Sequence, residues 1–534
     1  MLLRTFTTLA LLLSAQVQAD PAVGQDVNLD QYREDVKTLA SDAFEGRAPL
    51  GAGEDKTIAY LTKRFKSMGL QPAFGDSYVQ PVPLAQITAD QSMTLQIGKL
   101  SFANGSEFTA RTQQIAKTVA LQNDEVVFAG YGINAPEYDW NDYANIDVTG
   151  KTVIVLVNDP GFAAKDNTLF NGNAMTYYGR WTYKYEEAAR QGAKAVFIVH
   201  ETMPAGYGWG VIQNSNTNTK FTLIDQHNNQ DQIGVMGWLH LRAAEQIFAA
   251  AGMDYRKAKK AAAKPGFKAI PLNQPVNLTL RNTIEKKTSR NVAALLPGSE
   301  APDEWVVLHA HWDHLGKALE NGKEVVLNGA VDNASGVAGV LALAQQFANQ
   351  QQQTPLRRTT VFSAFTAEET GLLGAKHFAQ NPPVPADQLV AFLNIDGMNV
   401  NDAVDYTLQY GEGLSTLEDT VASIAKAQGR SVKQDPRPQN GLFFRSDHFA
   451  LAREGVPAYL FMSLGDTDPD FIANRYHKSG DDYFASWSLG GVKQDLALIG
   501  ELMQTLAGQE QWPQWTSQSE FKQKRANQKT PAGH

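Results

Sequence analysis

The chain contains no cysteine. Disulfides, cysteine-ligated zinc, iron–sulfur clusters, a cysteine nucleophile and a lipid anchor on an N-terminal cysteine are thereby excluded. Any metal must be held by His, Asp and Glu. Charge is also sparse: charged residues make up 19%, with 47 Lys+Arg against 56 Asp+Glu, for a net charge of −9. No Lys/Arg-dense run occurs, so nucleic-acid binding has no electrostatic footprint. No apolar run reaches the roughly 18 residues that a membrane span needs. What is present is an ordinary globular balance, 43% hydrophobic and 10% aromatic, which rules out a disordered or fibrous chain. The 534 residues correspond to roughly three to four domain equivalents.

The N-terminus reads as an export signal. Arg4 supplies the positive region, Phe6 to Ala15 an apolar stretch too short to span a bilayer, and Val17 and Ala19 a small-residue cleavage site. Residues 1–19 are expected to be removed near Ala19, leaving an exported protein, periplasmic or secreted in a bacterial source. Helical spacing of Ile58, Leu61, Phe65 and Met68 follows, with Gly69 as a C-cap. From Val119 to Pro275 short β-rich runs alternate with Gly/Asn/Asp/Pro turns, and one helix spans Trp181 to Gln191. From Asn291 onward apolar strands (292–296, 305–308, 359–365, 389–393, 456–461) alternate with helices (335–348, 414–428, 490–506). That alternation predicts an α/β fold with a mostly parallel central sheet flanked by helices. The expected organisation is a host domain split into 20–118 and 276–508, a β-rich insert at 119–275 and a polar tail at 509–534. Trp512, Trp515 and Phe521 give that tail a means of docking.

Ligands of open α/β sheets gather at the carboxyl ends of the strands. After the strand at 305–308 comes His309-Ala310-His311-Trp312-Asp313-His314; after 359–365 comes Thr366-Ala367-Glu368-Glu369; after 389–393 comes Asn394-Ile395-Asp396. A turn at Gly329 to Gly336 carries Asp332, and a late loop carries His477. Carboxylates are expensive to bury unless paired or metal-bound. The inventory suits two zinc ions per chain, which at a separation of ~3.5–4 Å need a shared carboxylate and a bridging water. Asp332 is the natural bridge, with His311 and Asp396 completing one site and Glu369 and His477 the other. Glu368 stays off the metals as general base, and Asp313 is placed to orient the His311 imidazole. His309, inside the strand, reads as a core histidine. His314 reads as support for the site or as surface.

The stretches "HAHWDHLG", "NGAVDNASGV", "FTAEETGLLGA", "LNIDG" and "YHKSGDD", with "LASDAFEGRAPLGAGE" and "NVAALLPG" upstream, resemble the di-zinc exopeptidases of the MH clan. That family includes bacterial leucyl-type aminopeptidases, aminopeptidase Y, carboxypeptidase Q and glutamate carboxypeptidase II. The resemblance runs from about Leu29 to Leu506 and implies the zinc-exopeptidase fold. It also implies the same ligands and base, and a cis peptide between Asp332 and Asn333. The insert resembles a protease-associated domain. The segment "RSDHF", with Arg445, Ser446, Asp447 and His448, lies where the family has its substrate pocket.

The expected function is hydrolysis of peptide substrates by two-metal activation of a bridging water, with release of N-terminal residues as the first reading. A carboxypeptidase or dipeptidase needs Arg or Lys to clamp a carboxylate, a role open to Arg445. Glutaminyl cyclase, which uses a similar ligand set with one zinc, is a further alternative. A non-catalytic binding protein on the same scaffold is a third. The insert's aromatic patch (Tyr177, Tyr178, Trp181, Tyr183, Tyr185, Tyr207, Trp209) is read either as a cap over the site or as ordinary packing.

Overall fold

The computed structural model describes Gly24, residues 27–463 and residues 470–529. The expected signal peptide lies outside the described residues. The C-terminal half is built on a sheet in which Ala458–Phe461, Leu389–Ile395, Ala301–His311 and Arg358–Phe365 run parallel in that order. Arg358–Phe365 and Leu389–Ile395 are buried at every residue, as central strands are when helices cover both faces. The alternation is visible in the core. Val306, Leu308 and Ala310 pack with the helices Leu29–Leu39, Gly336–Gln351 and Gly490–Gly508, whereas Trp305 and Val307 pack with Leu373–Gln380 and His448–Arg453. These strands and helices match the expected elements to within a few residues.

One strand joins the two parts of the molecule. Ile270–Leu296 is 27 residues long. Its end, Val292–Leu296, pairs antiparallel with Arg358–Phe365; its middle pairs with Val79–Ala89; its beginning pairs with Thr118–Phe128. From there the sheet continues in parallel through Thr152–Leu156, Ala195–His200 and Val235–His240, and closes with the antiparallel strand Phe108–Arg111. The inserted region has its own core around Phe128, Phe197 and Phe248.

The boundaries of that region differ from those expected. Leu95, Phe102 and Phe108, assigned to the host domain, pack in the insert's core, and Pro275 lies inside the long strand. Turn-rich composition begins at Val119, but the preceding strands add to the same sheet. The tail docks: Trp515 and Phe521 are buried, and the Trp515 indole donates to the Gly455 carbonyl at 2.9 Å. Among the described residues no helix is long and apolar enough to cross a membrane.

Candidate metal centre

His311 closes its strand, Glu368 and Glu369 follow Phe365, and Asp396 follows Ile395. Three parallel neighbours thus deliver their polar residues to one rim. Asp332 comes from the turn that enters the helix Gly336–Gln351, and the Asp332–Asn333 peptide is cis, as the family resemblance implied. The turn is tied on several sides. Asp481 accepts from the amides of Val331 at 2.8 Å and Asp332 at 3.0 Å. The Asn333 side chain donates to the Ile395 carbonyl at 2.8 Å and accepts from Gly336 and Gly397 at 3.1 and 3.0 Å. Gly329 has φ 54°, and a Cβ there would sit 2.3 Å from the Asp332 carbonyl and 2.5 Å from the His314 ring. Glycine is therefore required by both conformation and space.

Arg47 braces the same turn from below. It is fully buried and donates to the carbonyls of Leu39, Trp312, Asn328 and Gly329 at 2.6–2.9 Å. It therefore ties the His311–Asp313 segment to the Asp332 turn. Burial lowers it to about 10, with Asp481, Asp313, Asp332 and Glu369 opposing.

All five expected ligands converge. His311 Nε2 lies 3.3 Å from Asp332 Oδ1 and 3.4 Å from Asp396 Oδ1; His477 Nε2 lies 3.3 Å from Asp332 Oδ2 and 3.1 Å from Glu369 Oε2. Asp332 presents one oxygen to each histidine, the arrangement expected of a bridge. His311 Nδ1 faces the Asp313 main-chain carbonyl at 3.0 Å. A carbonyl only accepts, so Nδ1 carries a proton, and Nε2 is left facing two carboxylates. That contact is repulsive unless a proton or a cation lies between. Two groups have atoms close enough to hold a cation, His311/Asp332/Asp396 and His314/Asp332/Glu369. Glu369 Oε1 and His477 Nε2 are buried without a hydrogen-bond partner, as are both ring nitrogens of His314. Clustered donors left unsatisfied inside a protein are what a zinc site looks like before its ion is counted.

Asp313 orients His311, but through its carbonyl. Its carboxylate is 3.8 Å from the ring and instead accepts from the Glu368 amide at 3.1 Å. Burial raises Asp313 to about 8, against His311 and with Glu369. Glu368 is raised well above the carboxylate range by burial; His311 opposes this, and the neighbouring carboxylates of Asp396 and Glu369 add to it. A buried carboxyl with raised affinity for a proton is suited to accept one from water.

The "RSDHF" segment is placed differently from expectation. Only Arg445 is exposed. Ser446 accepts from the Asn394 amide at 2.6 Å, and Asp447 bonds His309 Nε2 at 2.8 Å. His448 is buried 4.7 Å from the Phe443 ring and pushed down to about 3 by burial. Ser446 and Asp447 anchor the rim to Asn394 and His309, two positions before Asp396 and His311; all three are buried and not open to substrate. The other nitrogen of His309 meets Ser363 Oγ at 3.1 Å, so it is a satisfied core histidine. His314, one of whose expected places was the surface, is fully buried against Glu369. Asp481, Arg47 and Asn333 escaped the sequence reading of the site although they sit in the quoted stretches, because hydrogen bonds to main chain leave no spacing pattern.

Residues 291–498 match the family model described as Peptidase family M28. A "Probable zinc metalloprotease" of Pyrenophora tritici-repentis is 36% identical over 137 residues, 25% of this chain and 27% of that protein. A "Probable glutamate carboxypeptidase AMP1" of Arabidopsis thaliana is 24% identical over 456 residues, 80% of this chain and 60% of that one. The chain thus spans about a quarter of the length of the first of these and under two thirds of the second. Among solved structures, an aminopeptidase from Aneurinibacillus sp. strain AM-1 superposes with a TM-score of 0.52 at 20% identity, covering 92% of this chain and 96% of that one. That likeness is one of fold.

Proposed function

We propose that this chain, which carries a Peptidase family M28 domain at residues 291–498, is a zinc-dependent exopeptidase that releases N-terminal residues from peptides. The observation that carries the reading is the convergence of His311, Asp332, Glu369, Asp396 and His477 around atoms that lack partners. His311 and Asp396 would hold one zinc, Glu369 and His477 a second, and Asp332 both. Zinc held there supplies a Lewis acid and lowers the pKa of water toward ~7. Glu368, anchored through its amide to Asp313, takes the proton from the attacking water and returns it to the leaving amine. The carboxylates crowded at the rim favour an approaching α-ammonium group, which supports the amino end as the site of trimming. Glu368→Ala should abolish turnover of aminoacyl-nitroanilides while zinc content by metal analysis stays unchanged. Loss of metal in that variant would refute the base assignment.

A carboxypeptidase reading is favoured by one observation. Arg180 of the insert is 8% exposed, its Nε is buried without a partner, and burial and the neighbouring Arg445 guanidinium lower it to about 9. A guanidinium with an unpartnered Nε, within electrostatic reach of a second one, is suited to take a carboxylate. Cleavage of N-blocked dipeptides with free-amine substrates untouched would establish this reading over the first. The insert is proposed to be a protease-associated domain. The chain is proposed to be exported, and N-terminal sequencing of the mature protein should begin close to Asp20.

A further inference from the structure

Glu369 sits between two imidazoles. Its Oε2 faces His477 Nε2 at 3.1 Å, from the side open to solvent, where the His477 side chain is 34% exposed. Its Oε1 faces His314 Nδ1 at 2.8 Å, from the buried side, where His314 is 0% exposed. The two rings are 5.7 Å apart and edge-on. Neither His314 nitrogen makes a hydrogen bond, and neither does Glu369 Oε1. A close approach without hydrogen-bond alignment, between two buried and otherwise unsatisfied atoms, fits two ligands aimed at a common ion better than a donor and its acceptor. His314, Asp332 and Glu369 offer ligand atoms near enough to one another to share a cation, and this trio does not include His477.

We infer that His314 is a ligand of the second zinc from the buried side, so that His314, Asp332 and Glu369 retain that ion when His477 is withdrawn. The inference rests on the two-zinc reading above. A buried imidazole with both nitrogens bare is otherwise costly, and a borderline-soft ion such as zinc accepts a nitrogen readily. His477 is stacked on Tyr476 with ring centroids 3.8 Å apart, on the rim where a substrate arrives, and it is the exchangeable partner of the two.

The test is metal analysis of the full chain after equilibration at limiting free zinc, repeated with cobalt(II) to read the visible absorption of each site. The wild type and His477→Ala should both hold about two ions per chain. His314→Gln should change the cobalt spectrum. In the His477→Ala background it should lower the content to about one, the ion of His311, Asp332 and Asp396 remaining as an internal check on folding. Glutamine keeps a donor toward Glu369 but no imidazole, so retention of two ions in the double variant would mean that His314 only braces Glu369, and would overturn the inference. Loss of an ion from His477→Ala alone would overturn it too. A wild-type chain with a single ion would overturn the two-zinc reading and this inference together, which separates the two failures.

Discussion

A single buried guanidinium ties the metal rim together. Arg47 satisfies four main-chain carbonyls drawn from Leu39, Trp312, Asn328 and Gly329. Arg47→Met preserves volume but strands those acceptors, and each buried orphan costs about 1–3 kcal/mol. We expect a stability loss of at least about 3 kcal/mol, read by denaturant unfolding, together with weaker zinc retention against a chelator. Unchanged zinc retention would mean that the Asp332 turn holds its shape without Arg47. The five candidate ligands, which the fold brings together, could be picked out in the sequence because most of them follow an apolar run or a glycine-flanked turn. Arg47 could not: an arginine feeding carbonyls has no periodicity to betray it, and its role depends on residues some 280 positions away. For His314 the choice between support for the site and the surface stayed open for a related reason. Its neighbours Asp313 and Glu369 are polar, so only the fold reveals that it is buried.

At the scale of elements, the entry of the helix Gly336–Gln351 carries more constraint than its length suggests. Alanine is the better helix former by about 1 kcal/mol, yet a Cβ on Gly336 would lie 2.1 Å from Asn333 Oδ1. That oxygen holds the amides of both Gly336 and Gly397. Gly336→Ala should therefore destabilise the protein, lowering the midpoint of thermal unfolding and reducing zinc occupancy. A raised midpoint would show that the turn relaxes freely. The strands and helices of this half could be read ahead of the structure because both-face burial writes strands without charged residues, such as 359–365, or unbroken apolar runs, such as 389–393. The limits of the insert could not. Leu95, Phe102 and Phe108 look like any amphipathic strand residues, and only their strand pairings, Thr94–Ile97 with Leu100–Ala103 and with Ile270–Leu296, and Phe108–Arg111 with Val235–His240, assign them to that core.

At the scale of the whole molecule, charge couples the docked tail to the insert. Glu520 lies near Glu137 of the insert and is raised to about 7, chiefly by burial, with Glu137 adding. A carboxyl whose folded pKa exceeds its unfolded value of 4.5 binds more protons folded than unfolded between those two values. Its contribution is thus fully present below about pH 4.5 and is lost as pH rises through about 7. Glu520→Gln should flatten that part of the profile, raising stability at pH 8 by about 1–3 kcal/mol with little change at pH 4, as measured by urea unfolding at the two pH values. An equal shift at both would remove Glu520 as the titrating group. The same long-range character marks the strand Ile270–Leu296, which pairs with strands of both parts of the molecule, so neither part is expected to fold as a free-standing piece.

The cradle of Asp332 also sets a timetable. The turn is shaped by Arg47, early in the chain, and by Asn333 beside it, but its amides are held by Asp481, and His477 arrives only just before. A chain made from its N-terminus has nearly all of its length outside the ribosome before the ion-binding cavity can close. Metal uptake is therefore a late event, one that reports a finished polypeptide, and a chain cut short of residue 477 would carry most of the coordinating groups without the means to hold them in place.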